Sequence, residues 1–487
     1  MKQPLLREHI DTWVSPDVVF MALYAASANT FWLDRGVLAS DGVSHMGEAA
    51  ASDTRGGSIV TASVADGTVT ARRPDGSGRR QRRESVFDFL DRALADRASA
   101  DRAPADAGRG EGDDGAIVPA WVGWLGYEAG AHEAGAPVAP SRTPDVALLF
   151  ADRAVSFDHL TRSITLTAAR APGAQRWIDA TRAAVAACAD ATADIRSENS
   201  PTASEPTLPV AGCWRHSDTE YLNLIGRAQA AIARGDAYQL CLTNELRVDT
   251  VIDPAAAYLA LRRASPTSNG GYLRIAGVAL LSASPERFLS IDRAGTITTR
   301  PIKGTRPRGA TAAADAALAA ELVSSEKERA ENLMIVDLMR NDLGRVAKLG
   351  SVQVRDLLTV ETYAQVHQLV STVQARLADD STSVAAVRAA FPAGSMTGAP
   401  KLSAMRILHS LEDGPRGVYA GCFGAFSIDG RVDLRMVIRS IVADATGVSI
   451  GAGGGITALS VPREELAEAR LKAAVLAHIV GASGKVE

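Results

Sequence analysis

Apolar and polar residues along this 487-residue chain follow two distinct periods. Where apolar residues recur every three to four positions, the spacing predicts helices at 84–98, 174–192, 218–234, 312–344 and 463–480. Where they alternate with polar residues or form short runs, the pattern predicts strands at 146–150, 236–248, 364–375 and 417–444, and hairpins over 271–299. Strands in runs, interrupted by helices, indicate an α+β fold rather than a βαβ repeat.

Two stretches interrupt these patterns with residues typical of loops. Residues 101–116 combine Pro, Gly and Asp, and residues 194–209 are rich in Ser, Thr, Pro and Glu. The length allows two or three domains at roughly 150 residues each. We therefore predict an N-terminal region over 1–193, a linker over 194–209 and a second domain over 210–487.

Composition and charge exclude several classes of protein. The chain is 46% apolar and 22% charged, which is ordinary for a globular protein with a large core. Its net charge is −4, so nucleic acid is not an expected partner. The sequence has no secretion signal and no apolar stretch long enough for a membrane. The four scattered cysteines form no CxxC pair, and we expect a cytoplasmic protein.

A lysine in the segment PIKGT, Lys303, is a candidate nucleophile. Arginine outnumbers lysine 45 to 7 in this chain, and arginine cannot lose its proton to become a nucleophile. Glu286, seventeen residues earlier in Ser-Pro-Glu, could be the matching acid. The alternative is an ordinary surface lysine, and these residues alone leave it open.

Two pairs of glutamates at i, i+3 spacing are candidate metal ligands. Glu328 and Glu331 form one pair, and Glu465 and Glu468 form the other. Each pair projects from one face of a predicted helix, and carboxylates converging from two helices would suit Mg²⁺. The alternative is a pair of solvated charged faces, because spacing does not show that the helices meet.

The glycine-rich segment GAGGGI, which includes Gly453, Gly454 and Gly455, lacks the spacing of a phosphate-binding P-loop. Its backbone N–H groups could approach an anion closely, or the segment could be a tight hairpin. Arg439 alternates with apolar neighbours on a predicted strand and would need a carboxylate partner from the protein or from a ligand.

Residues 210–482 resemble the chorismate-utilising enzymes throughout their length. The resemblance rests on the ordered motifs SPE, PIKGT, AENLMIVDLMRNDLGRV, VHQLVSTV, FPAGSMTGAPK and GAGGGITALSVPREELAEARLK. It implies that 210–487 is a chorismate-binding catalytic domain. The implied fold is that of anthranilate synthase component I, with stacked antiparallel β-sheets flanked by helices. The PIKGT motif with Lys303 resembles the motif of aminodeoxychorismate synthase component I, whereas anthranilate synthase component I characteristically has Ala at this position.

The resemblance also implies a role for each candidate residue. Lys303 would attack C2 of chorismate, Glu286 would protonate the departing C4 hydroxyl, and ammonia would add at C4. Mg²⁺ would be bound by Glu331 and Glu468, with Glu328 and Glu465 ligating directly or through water. The implied substrate contacts are Gln239, Thr397, Tyr419, Arg439, Gly453, Gly454, Gly455 and Lys472. Gln239 stands where isochorismate and salicylate synthases carry a water-activating lysine, which favours ammonia as the nucleophile.

The sequence departs from the family at one position and leaves two rival functions. Many relatives have a histidine where this chain has Gln368, and we expect the neighbouring His367 to face the other way along its strand. Ammonia would come from a separate glutaminase subunit, since no cysteine lies in a Gly-x-Cys-x-Gly motif. The rivals are anthranilate synthase component I and a catalytically silent regulatory partner of a glutaminase.

Overall fold

The computed structural model describes residues 5–50, 58–100, 117–195, 210–363 and 366–482. The loop predicted at 101–116 lies outside the described residues, as does the predicted linker from residue 196 to residue 209. The first two residues predicted for the linker instead end a helix, which runs to Ile195.

The described residues form eleven helices and twenty-four strands. The helices are α1 (Pro16–Leu23), α2 (Val86–Ala100), α3 (Tyr127–Glu133), α4 (Ala174–Ile195), α5 (Asp218–Ala233), α6 (Pro254–Ala264), α7 (Ala312–Ser324), α8 (Glu326–Gly344), α9 (Ser383–Ala390), α10 (Lys401–Glu412) and α11 (Pro462–Ile479). The strands are β1 (Leu6–Ile10), β2 (Thr30–Asp34), β3 (Val43–Glu48), β4 (Ile59–Ser63), β5 (Thr68–Arg72), β6 (Arg80–Arg83), β7 (Ala120–Leu125), β8 (Val146–Ala151), β9 (Arg153–Asp158), β10 (Ser163–Ala168), β11 (Gly212–Trp214), β12 (Gln239–Val248), β13 (Gly270–Ile275), β14 (Val278–Ser282), β15 (Arg287–Ile291), β16 (Thr296–Thr299), β17 (Ile302–Pro307), β18 (Gln353–Thr362), β19 (Val366–Arg376), β20 (Gly398–Ala399), β21 (Cys422–Ser427), β22 (Val432–Met436), β23 (Ser440–Asp444) and β24 (Gly447–Ile456).

The strands build two large antiparallel sheets. Sheet one has the order β1-β10-β9-β3-β2-β13-β14-β23-β24-β12-β11, with β20 added beside β12. Sheet two has the order β17-β19-β16-β15-β22-β21-β7-β8-β4-β5-β6, with β18 added beside β19. One apolar cluster takes side chains from both sheets, including Phe31, Trp124 and Phe423, so the sheets stack face to face. The predicted α+β class and the stacked antiparallel sheets are confirmed.

Both sheets contain strands from the two sides of residue 210. Strand β2 pairs with β13, placing Trp32 opposite Tyr272, and β7 pairs with β21, placing Gly123 opposite Gly424. The predicted division at 194–209 therefore separates two parts of the sequence that share continuous sheets. Helices cover the outer faces, where a second and a third apolar cluster are buried.

The long helix predicted over 312–344 is wrong in one respect, because it is two helices. Ser325 has extended backbone angles, φ −62° and ψ 112°, between α7 and α8. Its side chain accepts a hydrogen bond from the Glu328 backbone N–H at 3.5 Å and so caps α8. A serine that satisfies a free N–H at a helix start favours a break at this position.

Candidate active site

Lys303 lies on β17, at one edge of sheet two. The pairing of β17 with β19 shifts register between Ile302 and Thr305, so Lys303 and Gly304 form an irregular point in the strand. Gly304 has φ +85°, and a Cβ there would lie 2.7 Å from Leu322 Cδ1. Only glycine fits this turn comfortably, and it sets the position of the preceding lysine. The Lys303 ammonium lies 4.0 Å from a carboxylate oxygen of Glu331.

Glu286 lies directly before β15 and is 9% exposed. Burial raises its pKa to about 7, and the nearby Lys303 ammonium and Ser395 hydroxyl oppose this shift only in part. Ser395 Oγ donates a hydrogen bond to Oε1 of Glu286 at 3.4 Å. The structure therefore brings the predicted acid beside the predicted nucleophile, with a pKa suited to donating a proton near neutrality.

The three glycines of β24 lie opposite β12, with Gly453, Gly454 and Gly455 facing Thr243, Leu242 and Cys241 in register. A Cβ on Gly455 would lie 2.0 Å from Nε2 of Gln239, and one on Gly454 would lie 3.0 Å from Oε2 of Glu465. Glycine is therefore required where these two side chains cross the strand. Gln239 is buried, and within the described residues its Oε1 has no hydrogen-bond donor.

Helix α11 brings Lys472 and its two glutamates against the same glycines. Lys472 Nζ donates to the Gly453 carbonyl at 2.8 Å and lies 2.6 Å from Glu468 Oε1. Burial acts to raise the pKa of Glu468, but the ammonium groups of Lys472, Lys327 and Lys303 together outweigh burial and lower this pKa overall. Glu465 is almost fully buried and accepts a hydrogen bond from the Ser460 hydroxyl at 2.7 Å.

The four candidate metal ligands come from α8 and α11, and two of them interact across the gap. Burial raises the pKa of Glu331, and the neighbouring charges of Glu328 and Glu465 raise it further against two lysines. Glu328 itself accepts a hydrogen bond from Arg306 at 3.4 Å. Lys327 Nζ lies 3.2 Å from Glu465 Oε1.

These carboxylates fit a divalent cation by their chemistry. Buried carboxylates repel each other, and a bound divalent cation removes that repulsion. In the structure Glu331, Glu465 and Glu468 form ion pairs with lysines, and Glu328 forms one with an arginine. In the described ranges no three His, Cys, Asp or Glu side chains gather as a metal site does. Binding Mg²⁺ would therefore require Lys327 to move away from Glu465.

Thr397, Tyr419 and Arg439 come from three further segments. Thr397 is fully buried, and its carbonyl accepts the Cys241 backbone N–H at 2.9 Å. Tyr419 packs on the glycine strand, since a Cβ on Gly451 would lie 2.1 Å from its Cγ. Arg439 was predicted on a strand, but it lies between β22 and β23 with φ +51° and an exposed side chain. The charged group that acts on it is Glu468, and Tyr419 is the other ionisable side chain nearby.

A buried ion pair that supports this site was not predicted from the sequence. Arg416 donates to Glu412 through Nε and Nη2, at 2.8 and 2.6 Å. It also donates to the Met396 carbonyl at 2.6 Å and to the Cys241 carbonyl at 2.8 Å. Because arginine and glutamate are both common in this chain, residue type alone does not distinguish this pair from the others. Lys327 was also missed, although the rarity of lysine in this chain could have identified it as a candidate.

His367 is buried, and its ring nitrogens lie 2.9 Å from Thr362 Oγ1 and 2.9 Å from Asp315 Oδ1. Asp315 is on α7 and also pairs with Arg308 at 2.8 Å. The neighbouring residue Gln368 pairs in register with Thr305 and Glu361. His367 therefore holds α7 against the sheet, and its two ring nitrogens are occupied by structural partners.

Comparison with known proteins points to one family. A family model described as chorismate binding enzyme matches residues 51–478. An aminodeoxychorismate synthase of Streptomyces griseus is 45% identical over 482 residues, covering 98% of this chain and 64% of that protein. The chain thus spans less than two thirds of that relative's length. An anthranilate synthase component 1 of Streptomyces coelicolor is 39% identical over 357 residues, 71% of this chain and 70% of that protein.

Solved structures agree on the fold. The crystal structure of anthranilate synthase component I from Streptococcus pneumoniae superposes with a TM-score of 0.67 at 24% identity, covering 94% of this chain and 97% of that one. The predicted similarity to the anthranilate synthase component I fold is therefore confirmed. Among the described helices, none combines the length and apolar character needed to cross a bilayer.

Proposed function

Because this chain belongs to the family of chorismate-binding enzymes, we propose that it converts chorismate and ammonia to 4-amino-4-deoxychorismate. The observation that carries the proposal is the placement of Lys303 beside Glu286 and Glu331. The positive charge of Lys303 acts to lower the pKa of both carboxyl groups, although the three residues lie on different elements. A nucleophilic amine next to a buried, protonatable carboxyl is the pair that displacement of a hydroxyl needs.

The proposed reaction has two displacements. Lys303 Nζ, in its neutral form, bonds to C2 of chorismate while the ring double bonds shift and the C4–O bond breaks. Glu286 gives its proton to the departing hydroxyl, which leaves as water. Ammonia then bonds to C4, the C2–N bond breaks, and the amine of Lys303 is released. Gln239 lies on β12, the strand beside the glycines of β24, and its Oε1 accepts no hydrogen bond from the described residues. It would orient substrate or ammonia, because an amide side chain cannot act as the base that ionises water.

The substrate's negative charges would meet several donors. Lys472, Arg439 and Tyr419 surround the glycine strand, whose backbone N–H groups and small residues allow close approach. Thr397 lies in the adjoining loop. The binding energy of these groups would hold the ring so that C2 faces Lys303 and C4 faces Glu286.

Mg²⁺ is the proposed cofactor, bound by Glu331 and Glu468 with Glu328 and Glu465 ligating directly or through water. When bound, it would neutralise the ring carboxylate of chorismate. The support for this proposal is the chemistry of four carboxylates on α8 and α11, of which Glu331 and Glu465 interact electrostatically. Lys327 is the residue that has to leave Glu465.

The ammonia would be supplied by a separate glutaminase subunit, and the product would feed 4-aminobenzoate and folate synthesis. Cys188, Cys241 and Cys422 are unsuited to be a glutaminase nucleophile, because they are buried and burial raises the pKa of each thiol. Cys213 is exposed, but Ala211 and Arg215 flank it where a Gly-x-Cys-x-Gly motif has glycines. We further propose that the protein works in the cytoplasm.

The test is mass analysis of the product formed by purified protein from chorismate, Mg²⁺ and ammonium, without partner proteins. Aminodeoxychorismate that retains its enolpyruvyl group is the expected product. Anthranilate would instead establish the second candidate, which the Streptomyces coelicolor relative favours. No consumption of chorismate under excess ammonium would favour a silent partner of a glutaminase.

A further inference from the structure

The arginines of one edge hairpin are far denser than in the rest of the chain. Six arginines and one acidic residue, Asp75, occur within residues 72–83, in a chain whose 487 residues include 52 Lys and Arg in total. The segment forms β5, a turn and β6, and every residue of β6 is exposed. Five of the six arginines are exposed: Arg73, Arg79, Arg80, Arg82 and Arg83.

Strand β6 ends sheet two, at the opposite edge from β17 and Lys303. Among the described residues β6 pairs with β5 alone, so in this part of the chain the backbone N–H and C=O groups on its other side have no strand partner. Free strand edges bind extended segments of other chains through those groups, and charged residues restrict which segments can bind. The charge of this hairpin therefore disfavours basic partners at the edge of the sheet.

A groove runs between this hairpin and α2. Its apolar floor is formed by Val69, Phe89 and Trp121, and its volume is about 120 Å³. A cavity of about 150 Å³ accommodates benzene, so this groove of about 120 Å³ has room for part of an aromatic ring or for one smaller apolar side chain.

The groove is lined by four arginines and by two carboxylates, Glu84 and Asp96, so its charge is cationic overall. Arg80 and Arg82 project into it from β6, and Arg92 borders it from α2. Arg92 is partly neutralised by Glu84 at 2.7 Å. Arg80 and Arg82 form no ion pair with the described residues, so their charges face solvent or a ligand.

We propose that this groove binds a carboxylate-rich, extended segment of a partner protein, with one apolar side chain on the floor and carboxylates on the arginine rim. An apolar floor beneath a cationic rim matches an acidic segment that carries an apolar anchor. The arginines continue beyond the groove along the hairpin, so the surface is wider than a small ligand requires. The proposal does not depend on the reaction at Lys303.

The test is fluorescence anisotropy with a short labelled polyglutamate peptide that contains one central phenylalanine. We expect binding that weakens as salt is added, and a loss of at least about tenfold in affinity in R80E/R82E. The matched control R227E/R263E changes charge equally at exposed arginines of α5 and α6, and its affinity should stay within about twofold of wild type.

A second peptide without the phenylalanine should bind about tenfold more weakly if the floor receives an apolar side chain. Three results would overturn the proposal: no peptide binding by the wild type, equal loss in the control variant, or equally tight arginine-dependent binding of a DNA duplex. Turnover of chorismate by R80E/R82E, measured alongside, should match wild type and shows that the variant is folded.

Discussion

Replacing Glu286 by glutamine should make the protein more stable at alkaline pH while abolishing its activity. Burial raises the pKa of this carboxyl from 4.5 to about 7, so the folded state holds its proton more tightly than the unfolded state. Between these two values the folded state binds more protons, and wild-type stability therefore falls as the pH rises. Glutamine has nearly the same shape and never ionises, so the variant escapes that loss.

The shift in pKa sets the size of the effect. At about 1.4 kcal/mol for each pKa unit, the full cost of ionising Glu286 is about 3 kcal/mol. The free energy of unfolding of the variant relative to wild type should rise by about 2 to 3 kcal/mol between pH 5 and pH 8. Comparing the two pH values cancels any constant cost of the substitution.

The assay is urea unfolding followed by tryptophan fluorescence at both pH values. The exposed Glu326→Gln is the control and should show a change below about 0.5 kcal/mol. An unchanged difference between pH 5 and pH 8 for E286Q would show that Glu286 is not a desolvated carboxyl.

The turnover rate should also depend on the protonation of Glu286. With a pKa of about 7, the protonated fraction of Glu286 falls by up to about tenfold per pH unit above neutrality. Free ammonia and a neutral amine nucleophile, which the reaction also needs, become more abundant as the pH rises, so wild-type turnover should level off above pH 7 and not follow their increase. E286Q should lose at least about a hundredfold in turnover, and its remaining rate should keep rising with pH. If the variant keeps both its rate and the levelling-off above pH 7, another group is the acid.

Three further predictions test other parts of the site. Lys303→Ala should form no covalent adduct with chorismate by mass spectrometry, whereas the variant of an exposed lysine, Lys348→Ala, should behave like wild type. An unimpaired turnover rate in Lys303→Ala would rule out Lys303 as the nucleophile. Lys327→Met should bind Mg²⁺ about tenfold more tightly by calorimetry, because a competing ammonium is removed, and unchanged affinity would contradict that competition. Arg416→Met should lower the free energy of unfolding by about 3 to 5 kcal/mol, since Glu412 is left buried and unpaired; a loss below about 1 kcal/mol would mean that the pair is dispensable.

The sequence predicted the segments of α2, α4, α5, α7, α8 and α11 because their apolar periods are strong, but it missed the other five described helices and the N-terminal strands β1 to β6. The helix starting at Asp218 and the strand ending at Val248 match closely. It did not predict the break at Ser325, because a serine inside a helical pattern is compatible with either continuation or a cap, and packing decides between them.

The motifs also determined the family and the candidate residues. Lys303, Glu286 and the glutamate pairs were chosen by residue type, spacing and resemblance. None of these reveals which lysine neutralises which carboxylate, since this depends on how helices and strands distant in sequence come together. The pairing of Lys327 with Glu465 joins residues of α8 and α11 and has no local signature.

Tertiary structure alone decided the surroundings of the site. The raised pKa of Glu286 results from burial between elements, and burial is a property of the whole fold. Glycine at 454 and 455 is compatible with a hairpin or a binding strand, and the crossing side chains of Glu465 and Gln239 explain why glycine is needed. The amino-acid sequence by itself determined which chemical groups are present and the local elements that carry them. Their distances, charges and exposure to water were decided by long-range packing of the two sheets, because electrostatic energies depend on position in space rather than on order in the chain.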